Sequence, residues 1–157
     1  MQLIYRSFLA IFVLLACTLA SCGEDDPVAP SESPGVQIEN YLSENGLSGE
    51  ITTSTGLVYI IDEPGQSEKP TISDDITINY KGYLTNGNVF DETNGSPRTF
   101  ALRQLIAAWQ EGIPFIGKGG KIKLIAPPSI AYGNRPPAGS GISTNSVLVF
   151  DIELLDF

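Results

Sequence analysis

The chain has 157 residues, of which 42% are hydrophobic and 17% are charged, a composition typical of one globular domain with tails. It contains no histidine, so imidazole acid–base chemistry and the commonest metal ligand are absent from its chemistry. Its 18 acidic residues outnumber its 9 basic ones and give a net charge of −9. That balance disfavours a nucleic acid partner, because phosphate backbones bind basic surfaces.

Residues 1–21 have the layout of a secretory signal peptide. Arg6 supplies one positive charge, residues 7–16 are almost entirely apolar, and small residues precede Cys22. The apolar run is too short to be a convincing membrane span. The sequence LASC at residues 19–22 resembles the lipobox of bacterial lipoproteins, which implies cleavage before Cys22 and lipid attachment to its thiol. An ordinary signal peptide with an incidental cysteine is the alternative.

Two short segments separate the predicted anchor from the main domain. Residues 22–35 are rich in Pro, Ser and acids with almost nothing to bury, so we predict a disordered acidic tether. Residues 36–49 are predicted to be a short N-terminal helical extension. Its apolar residues Ile38, Tyr41 and Leu42 lie at helical spacing, and the following Asn-Gly pair is typical of a C-cap.

From residue 50 the hydrophobic pattern changes to the alternation typical of strands. Strands are predicted from this alternation near residues 57–61, 76–84, 121–126 and 148–154, with a further short one at 99–102. Asn86-Gly87 is a strong hairpin signal, and Val89 begins the returning strand. The pattern therefore predicts five to six antiparallel strands.

The strongest helix signal in the chain covers residues 102–112. Its apolar residues are spaced i, i+3, i+4 and i+7 and so share one face: Leu102, Leu105, Ile106 and Trp109. Gly112 and Pro114 predict where this helix ends. Because a lone amphipathic helix must bury its apolar face against another element, we predict an α+β domain over residues 50–157 in which a curved antiparallel sheet covers this one short helix.

Conventional catalytic sets are missing from the sequence. Without histidine no Ser-His-Asp or Cys-His set is possible, and no acidic cluster has the spacing of a metal-binding loop, so no metal site is expected. What remains is a set of aromatic residues from separate elements, which would converge if the sheet wraps the helix: Tyr80, Phe90, Trp109, Tyr132 and Phe150.

The segments that carry these aromatics resemble, in the same order, the FKBP-type peptidyl-prolyl cis-trans isomerases. They are INYKGYL, NGNVFDET, QLIAAWQEG, SIAYG and VLVFDIELL, and the resemblance extends from about residue 57 to residue 155. It implies an FKBP-like half-barrel around the helix, no cofactor, and rotation of X-Pro bonds without covalent chemistry. The implied partners are proline-containing peptides and unfolded exported proteins, and macrolide FKBP ligands are possible.

The resemblance also implies a role for each site residue. Trp109 would be the floor of a prolyl pocket, with Tyr80, Phe90 and Phe150 as its walls. The Tyr132 hydroxyl would bond a ligand carbonyl, Leu105 and Ile106 would contact ligand through their backbone, and Ile142 would reach over from a long loop. Asp91 would either hold Tyr80 through its hydroxyl or stabilise the twisted amide electrostatically. The alternative for the aromatics is plain core packing, and for Asp91 a turn.

Three features depart from the family pattern and leave other functions open. Arg98 stands where many members carry a pocket aromatic. The segment 91–97 is shorter than in the best-known members, and no arginine follows Asp91 in it. Ser143-Thr144 replaces a usual Pro-Pro pair in the long loop. The primary expectation is a lipid-anchored isomerase of the bacterial cell envelope, facing the periplasm or the cell surface. The alternatives are a catalytically weak binding module or holdase chaperone anchored there, and a purely structural tether.

Overall fold

The structure is a computed structural model and describes residues 32–157. Three predictions lie outside the described residues: the signal peptide, the lipid attachment at Cys22 and the tether as far as residue 31. The elements in chain order are α1 (Pro34–Glu44), β1 (Ile51–Thr52), β2 (Val58–Glu63), β3 (Asp75–Leu84), β4 (Val89–Glu92), β5 (Arg98–Ala101), α2 (Ala107–Gly112), β6 (Lys121–Ala126) and β7 (Leu148–Asp156).

The strands form a single antiparallel sheet in the order β1-β2-β6-β7-β3-β4, and β5 also pairs with β3. The predicted α+β class with a helix on an antiparallel sheet is confirmed. The sheet has seven strands instead of five to six, because β1 is only two residues long and leaves no alternating pattern in the sequence. The sheet is open: β1 forms one edge, and β4 and β5 form the other by pairing with different parts of β3.

The inner face of the sheet, defined here as the face that α2 covers, holds the main core. Alternate residues of β3, β6 and β7 point to it, including Ile78, Leu124 and Leu154, all fully buried. This alternation is the one the sequence predicts, because successive side chains of a strand point to opposite faces. The long β3 and β7 pair from Thr77–Asp156 to Leu84–Leu148 and carry the centre of the sheet.

The helix predicted over residues 102–112 is interrupted in the structure. Residues Leu102–Gln104 form a 3-10 turn, Leu105 and Ile106 are extended, and the α-helix starts only at Ala107. The side-chain amide of Gln110 donates to the Leu105 carbonyl at 2.6 Å, so a side chain replaces the missing helical hydrogen bond. The amphipathic spacing therefore identified the buried face correctly but not the break.

Gly112 is the last residue of α2, but its backbone is helical and the chain continues directly into a 3-10 turn at Ile113–Phe115. Its φ is −81°, and a Cβ at this position would lie 2.6 Å from Leu124 Cδ2 of β6. The glycine therefore permits a close approach of α2 to the sheet.

The outer face of the sheet is covered in part by α1. This helix begins at Pro34, before the predicted boundary at residue 36, and Ser33 caps it by accepting a hydrogen bond from the Val36 N–H at 3.4 Å. Its Ile38 and Tyr41 are buried against outer-face residues of β2, β6 and β7: Val58, Ile125 and Val149. Between Glu32 and Phe157, no helix combines the length and apolarity that crossing a bilayer requires.

Candidate active site

Four aromatic side chains from four different elements meet at one end of the inner core. Trp109 of α2 lies with its ring centre 5.1 Å from that of Tyr80 and 5.3 Å from that of Phe150, and Phe150 lies 5.7 Å from Phe90. The ring planes of these pairs cross at 77°, 87° and 84°. This edge-to-face geometry is favourable for aromatic pairs and gives the cluster a fixed shape.

A cavity of about 220 Å³ opens over this cluster. Its lining includes eight of the nine residues predicted to bind or act on substrate, together with two that were not predicted: Tyr80, Phe90, Asp91, Ile106, Trp109, Tyr132, Pro137, Ser140, Ile142 and Phe150. Leu105 is the exception, since it packs half-buried against the core beside the cavity. The aromatics are therefore not merely core, while their individual roles in catalysis stay predictions.

Trp109 occupies the floor of the cavity and is only 5% exposed. Its indole N–H is buried and meets no acceptor within residues 32–157. The indole therefore contributes to the cavity as a largely apolar ring.

One wall of the cavity carries a hydrogen-bonded network of three side chains. Arg98 Nη1 donates to Tyr80 Oη at 3.0 Å and to Asp91 Oδ1 at 3.3 Å, and the Tyr80 hydroxyl makes a short hydrogen bond to Asp91 Oδ2. A guanidinium group can only donate, so the single proton of Tyr80 must point to Asp91. Of the two roles that the sequence leaves open for Asp91, the structure shows the hydrogen bond that holds Tyr80.

The hydroxyls of the cavity stay protonated at neutral pH. Burial, followed by the hydrogen bond to Asp91 and its charge, raises the pKa of Tyr80 to about 12, although Arg98 acts in the opposite direction. Burial and then the charge of Asp91 raise the pKa of Tyr132 above its ordinary value. Tyr132 can therefore donate a hydrogen bond to a carbonyl in the cavity.

The loop between β6 and β7 closes one side of the cavity. The Ser140 hydroxyl donates to the Pro137 carbonyl at 2.8 Å and accepts a hydrogen bond from the Ile142 N–H at 3.3 Å. This turn brings Ile142 over the aromatics. Pro137 and Ser140 could not be predicted as lining residues, because a Pro/Gly/Ser-rich loop has no periodicity from which to infer which side chains face inward.

Two further residues support the cavity from behind. A Cβ at Gly82 of β3 would lie 2.7 Å from Phe90 Cε2 and 3.1 Å from Phe150 Cε1, so glycine at this position leaves room for both rings. A lone glycine inside a predicted strand was the available signal for such a close approach. Thr93 is buried beside the Tyr80 backbone, and nothing in the local sequence singled it out.

Comparison with known proteins decides the family. A family profile described as FKBP-type peptidyl-prolyl cis-trans isomerase matches residues 66–155, more than half of the chain. The chain belongs to this family. The FKBP-like half-barrel implied by the sequence motifs is confirmed.

Individual relatives agree with this assignment. FkpA of Escherichia coli K12, named as an FKBP-type peptidyl-prolyl cis-trans isomerase, is 48% identical over 132 residues, which are 82% of this chain and 47% of that protein. The crystal structure of E. coli FkpA superposes with a TM-score of 0.69 at 46% identity, covering 78% of this chain and 57% of that chain. A peptidyl-prolyl cis-trans isomerase structure from Pseudomonas syringae pv. tomato gives a TM-score of 0.68 at 27% identity, covering 81% and 95%. The chain spans about half the length of the curated relatives it matches.

Two of the departures from the family pattern, at Arg98 and at Ser143-Thr144, do not line the cavity. Arg98 does not line the cavity and so does not fill it. Ser143 and Thr144 are exposed in the long loop, whereas Ile142 beside them lines the cavity. Within residues 32–157, no group of three or more Asp, Glu, Cys or His side chains is placed to hold a metal ion.

Proposed function

We propose that this protein is a peptidyl-prolyl cis-trans isomerase that acts on proline-containing peptides and on unfolded exported proteins. Family membership supports the reaction class, and one structural observation carries the proposal for this chain. The indole of Trp109 is the floor of an open cavity whose walls are aromatic. A flat apolar ring such as that of proline fits a site of this shape and chemistry.

The reaction requires no bond to be broken. Rotation about an X-Pro bond passes through a twisted amide that has lost its resonance, and the uncatalysed barrier is about 18–20 kcal/mol. The carbonyl oxygen of a twisted amide is less polar than that of a planar one, so an apolar cavity penalises the twisted form less. Lowering the barrier by about 5 kcal/mol gives a rate increase of roughly 4,000-fold. Differential binding of this size needs no covalent chemistry.

Named groups of this chain fit the requirements of that rotation. Phe90 and Phe150 would hold the proline ring against Trp109 and exclude water. The Tyr132 hydroxyl would donate to a substrate carbonyl and fix one side of the rotating bond. Ile106 is the N-cap of α2 with extended backbone, so its N–H lies outside the helix and can meet a second carbonyl.

The test is an isomerisation assay with a short Xaa-Pro peptide and the purified full chain. We expect clear acceleration by the wild-type protein, and absence of acceleration by folded protein would overturn the proposal. Tyr132→Phe should lower kcat/KM roughly fivefold, the value of about one hydrogen bond of 1 kcal/mol. Tyr59→Phe is the matched control, because this hydroxyl is lost from a ring that stacks on Phe115 outside the cavity. A macrolide FKBP ligand should inhibit competitively if it occupies the same pocket.

We also propose that the chain is a lipoprotein of the bacterial cell envelope. The support is the sequence of residues 1–22, with its apolar signal and the lipobox-like LASC. Cys22→Ser should yield an exported protein that is not lipidated and no longer partitions with membranes. Unchanged membrane partition of this variant would overturn the anchor while leaving the isomerase proposal intact.

A further inference from the structure

Arg98 occupies an unusual place beside the pocket. It lies on β5, opposite Ile78 of β3, and its guanidinium group reaches across to the carboxylate of Asp91. Both oxygens of that carboxylate are bonded, Oδ1 by Arg98 at 3.3 Å and Oδ2 by the Tyr80 hydroxyl. Arg98 also donates to the Glu92 carbonyl at 3.4 Å and lies 5.8 Å from the centre of the Tyr80 ring.

Among residues 32–157, Asp91 is the only acidic or basic residue that lines the cavity. The charge that a bound peptide meets at the rim therefore depends on whether Asp91 is neutralised. The side chains of Asp91 and Arg98 are each 48% exposed, so the pair sits at the open edge of the pocket. A peptide whose proline enters the cavity carries its neighbouring side chains past this edge.

We propose that Arg98 is a specificity-determining residue of this isomerase. By pairing with Asp91 it makes the rim electrically neutral and allows residues of either charge next to the proline. Without Arg98 the rim would carry an uncompensated carboxylate, which attracts a lysine and repels a glutamate at that position. The inference rests on the proposed function, because it concerns the choice of substrate at the same pocket.

The size of the effect follows from the exposure of the pair. Charges a few ångströms apart near a protein surface typically interact strongly enough to change a rate or binding constant a fewfold, and salt screens them. Attraction of one peptide and repulsion of the other act in the same direction on their ratio. We expect loss of Arg98 to raise the preference for a Lys-Pro over a Glu-Pro peptide by roughly tenfold at low salt.

The experiment compares kcat/KM for two peptides that differ only in Lys or Glu before the proline. The wild-type full-length protein should give kcat/KM values for the two peptides that differ by no more than a fewfold. Arg98→Met should shift the ratio of these values roughly tenfold toward the Lys-Pro peptide. The shift should shrink in about 1 M salt, where the screening length is about 3 Å. A purely structural role for Arg98 would lower both rates equally and leave the ratio unchanged.

Three further variants separate charge from other effects. Arg98→Lys keeps the positive charge and should keep the wild-type ratio. The double variant Arg98→Met with Asp91→Asn removes both charges and should return the ratio to the wild-type value at whatever absolute rate remains. Arg103→Met is the matched control: this exposed arginine donates to the Ser73 carbonyl at 3.4 Å, away from the cavity, and its loss should leave the ratio unchanged.

The outcomes distinguish the two proposals. A wild-type protein that catalyses both peptides, with an unchanged ratio in folded Arg98→Met, overturns the role of Arg98 and leaves the isomerase function standing. An equal shift in Arg103→Met also overturns it, because the effect would then be one of net charge. A wild-type protein that catalyses neither peptide overturns the proposed function and this inference with it.

Discussion

Thr93 fixes the backbone of the pocket residue Tyr80 through two hydrogen bonds made at the point where β4 has ended. Its Oγ1 accepts from the Tyr80 N–H at 3.1 Å, and its own N–H donates to the Tyr80 carbonyl at 3.0 Å. Thr93→Val keeps the shape of the side chain and leaves the Tyr80 N–H without its acceptor. We expect a loss of about 1–3 kcal/mol in the free energy of unfolding, measured by urea denaturation, with a fall in kcat/KM.

Thr93→Ser is the control for that prediction, because it retains the hydroxyl and removes only a methyl group. It should lose clearly less stability than the valine variant. Equal losses in the two variants would show that packing, and not the hydrogen bond to Tyr80, explains the burial of this residue.

At the residue scale, the sequence predicted the pocket aromatics and gave Asp91 as a residue that could hold Tyr80, but it did not predict Arg98 or Thr93 in such a role. Trp109 and Tyr132 lie in distinctive motifs whose order matches a known family. Arg98, by contrast, was interpreted as a departure that leaves other functions open, since it stands where many family members carry an aromatic. Its hydrogen bonds to Tyr80 and Asp91 depend on the register in which β4 and β5 pair with β3. Hydrophobic periodicity in the sequence does not specify that register. Side-chain networks between strands are therefore the part of the site that needed the structure.

At the scale of elements, α1 packs on the outer face of the sheet while the pocket opens on the inner face. Ile38 is 7% exposed within this outer cluster, and Ile38→Ala should lower the free energy of unfolding by about 2 kcal/mol or more through lost burial and the cavity left behind. The isomerase activity of the protein that remains folded should not change. Urea denaturation and the peptide assay, made on the same sample, test both statements.

Val36→Ala is a matched control on the same helix. Its side chain is 42% exposed, so its loss should alter stability by no more than about 0.5 kcal/mol. Equal destabilisation by the two variants would contradict the packing of α1 described above, and a loss of kcat/KM in Ile38→Ala would contradict the independence of the pocket from the outer face.

Whole elements were predicted unevenly, and the reason is physical. Apolar and polar residues alternate strongly in β3 and β7, because one face of each strand is buried. The sequence therefore predicted both strands and the side chains that point inward. The break in the helix at Leu105 and Ile106 could not be predicted, because the helical spacing of apolar residues continues across these two positions. A side-chain hydrogen bond from Gln110 to the Leu105 carbonyl replaces the helical one there. Local propensity and spacing cannot weigh such a tertiary alternative.

At the scale of the whole molecule, the order of the strands was beyond the sequence pattern. β2 and β6 are neighbours although more than fifty residues separate them, and β3 lies between β7 and β4. This arrangement places one tyrosine on each face of the sheet, the buried Tyr80 toward α2 and the half-buried Tyr83 toward α1. Folding withdraws both hydroxyls from water, so their pKa values differ between the folded and the unfolded protein.

That environment makes the protein less stable in alkali. Burial, followed by the bond to Asp91, raises the pKa of Tyr80 to about 12, and burial, followed by the hydrogen bond with Tyr41, raises the pKa of Tyr83 above its ordinary value. Below about pH 10 both tyrosines are neutral in the folded and unfolded states, so the stabilisation is complete. Above pH 10 the tyrosines ionise in the unfolded chain but not yet in the folded protein. Each of the two then lowers the free energy of unfolding by up to about 1.4 kcal/mol per pH unit, until the pH reaches its pKa in the folded protein.

Urea denaturation between pH 8 and pH 11.5 measures this loss, and Tyr80→Phe assigns its share. The variant lacks one of the tyrosine protons whose pKa folding raises, so its stability should fall less steeply above pH 10 than that of the wild type, whatever its stability at pH 8. Ultraviolet titration of the folded protein gives an independent check, since the phenolate absorbance of the variant should lack one tyrosine that ionises late. Equal slopes in the two proteins would mean that the Tyr80 hydroxyl ionises as readily in the folded wall of the pocket as in the unfolded chain.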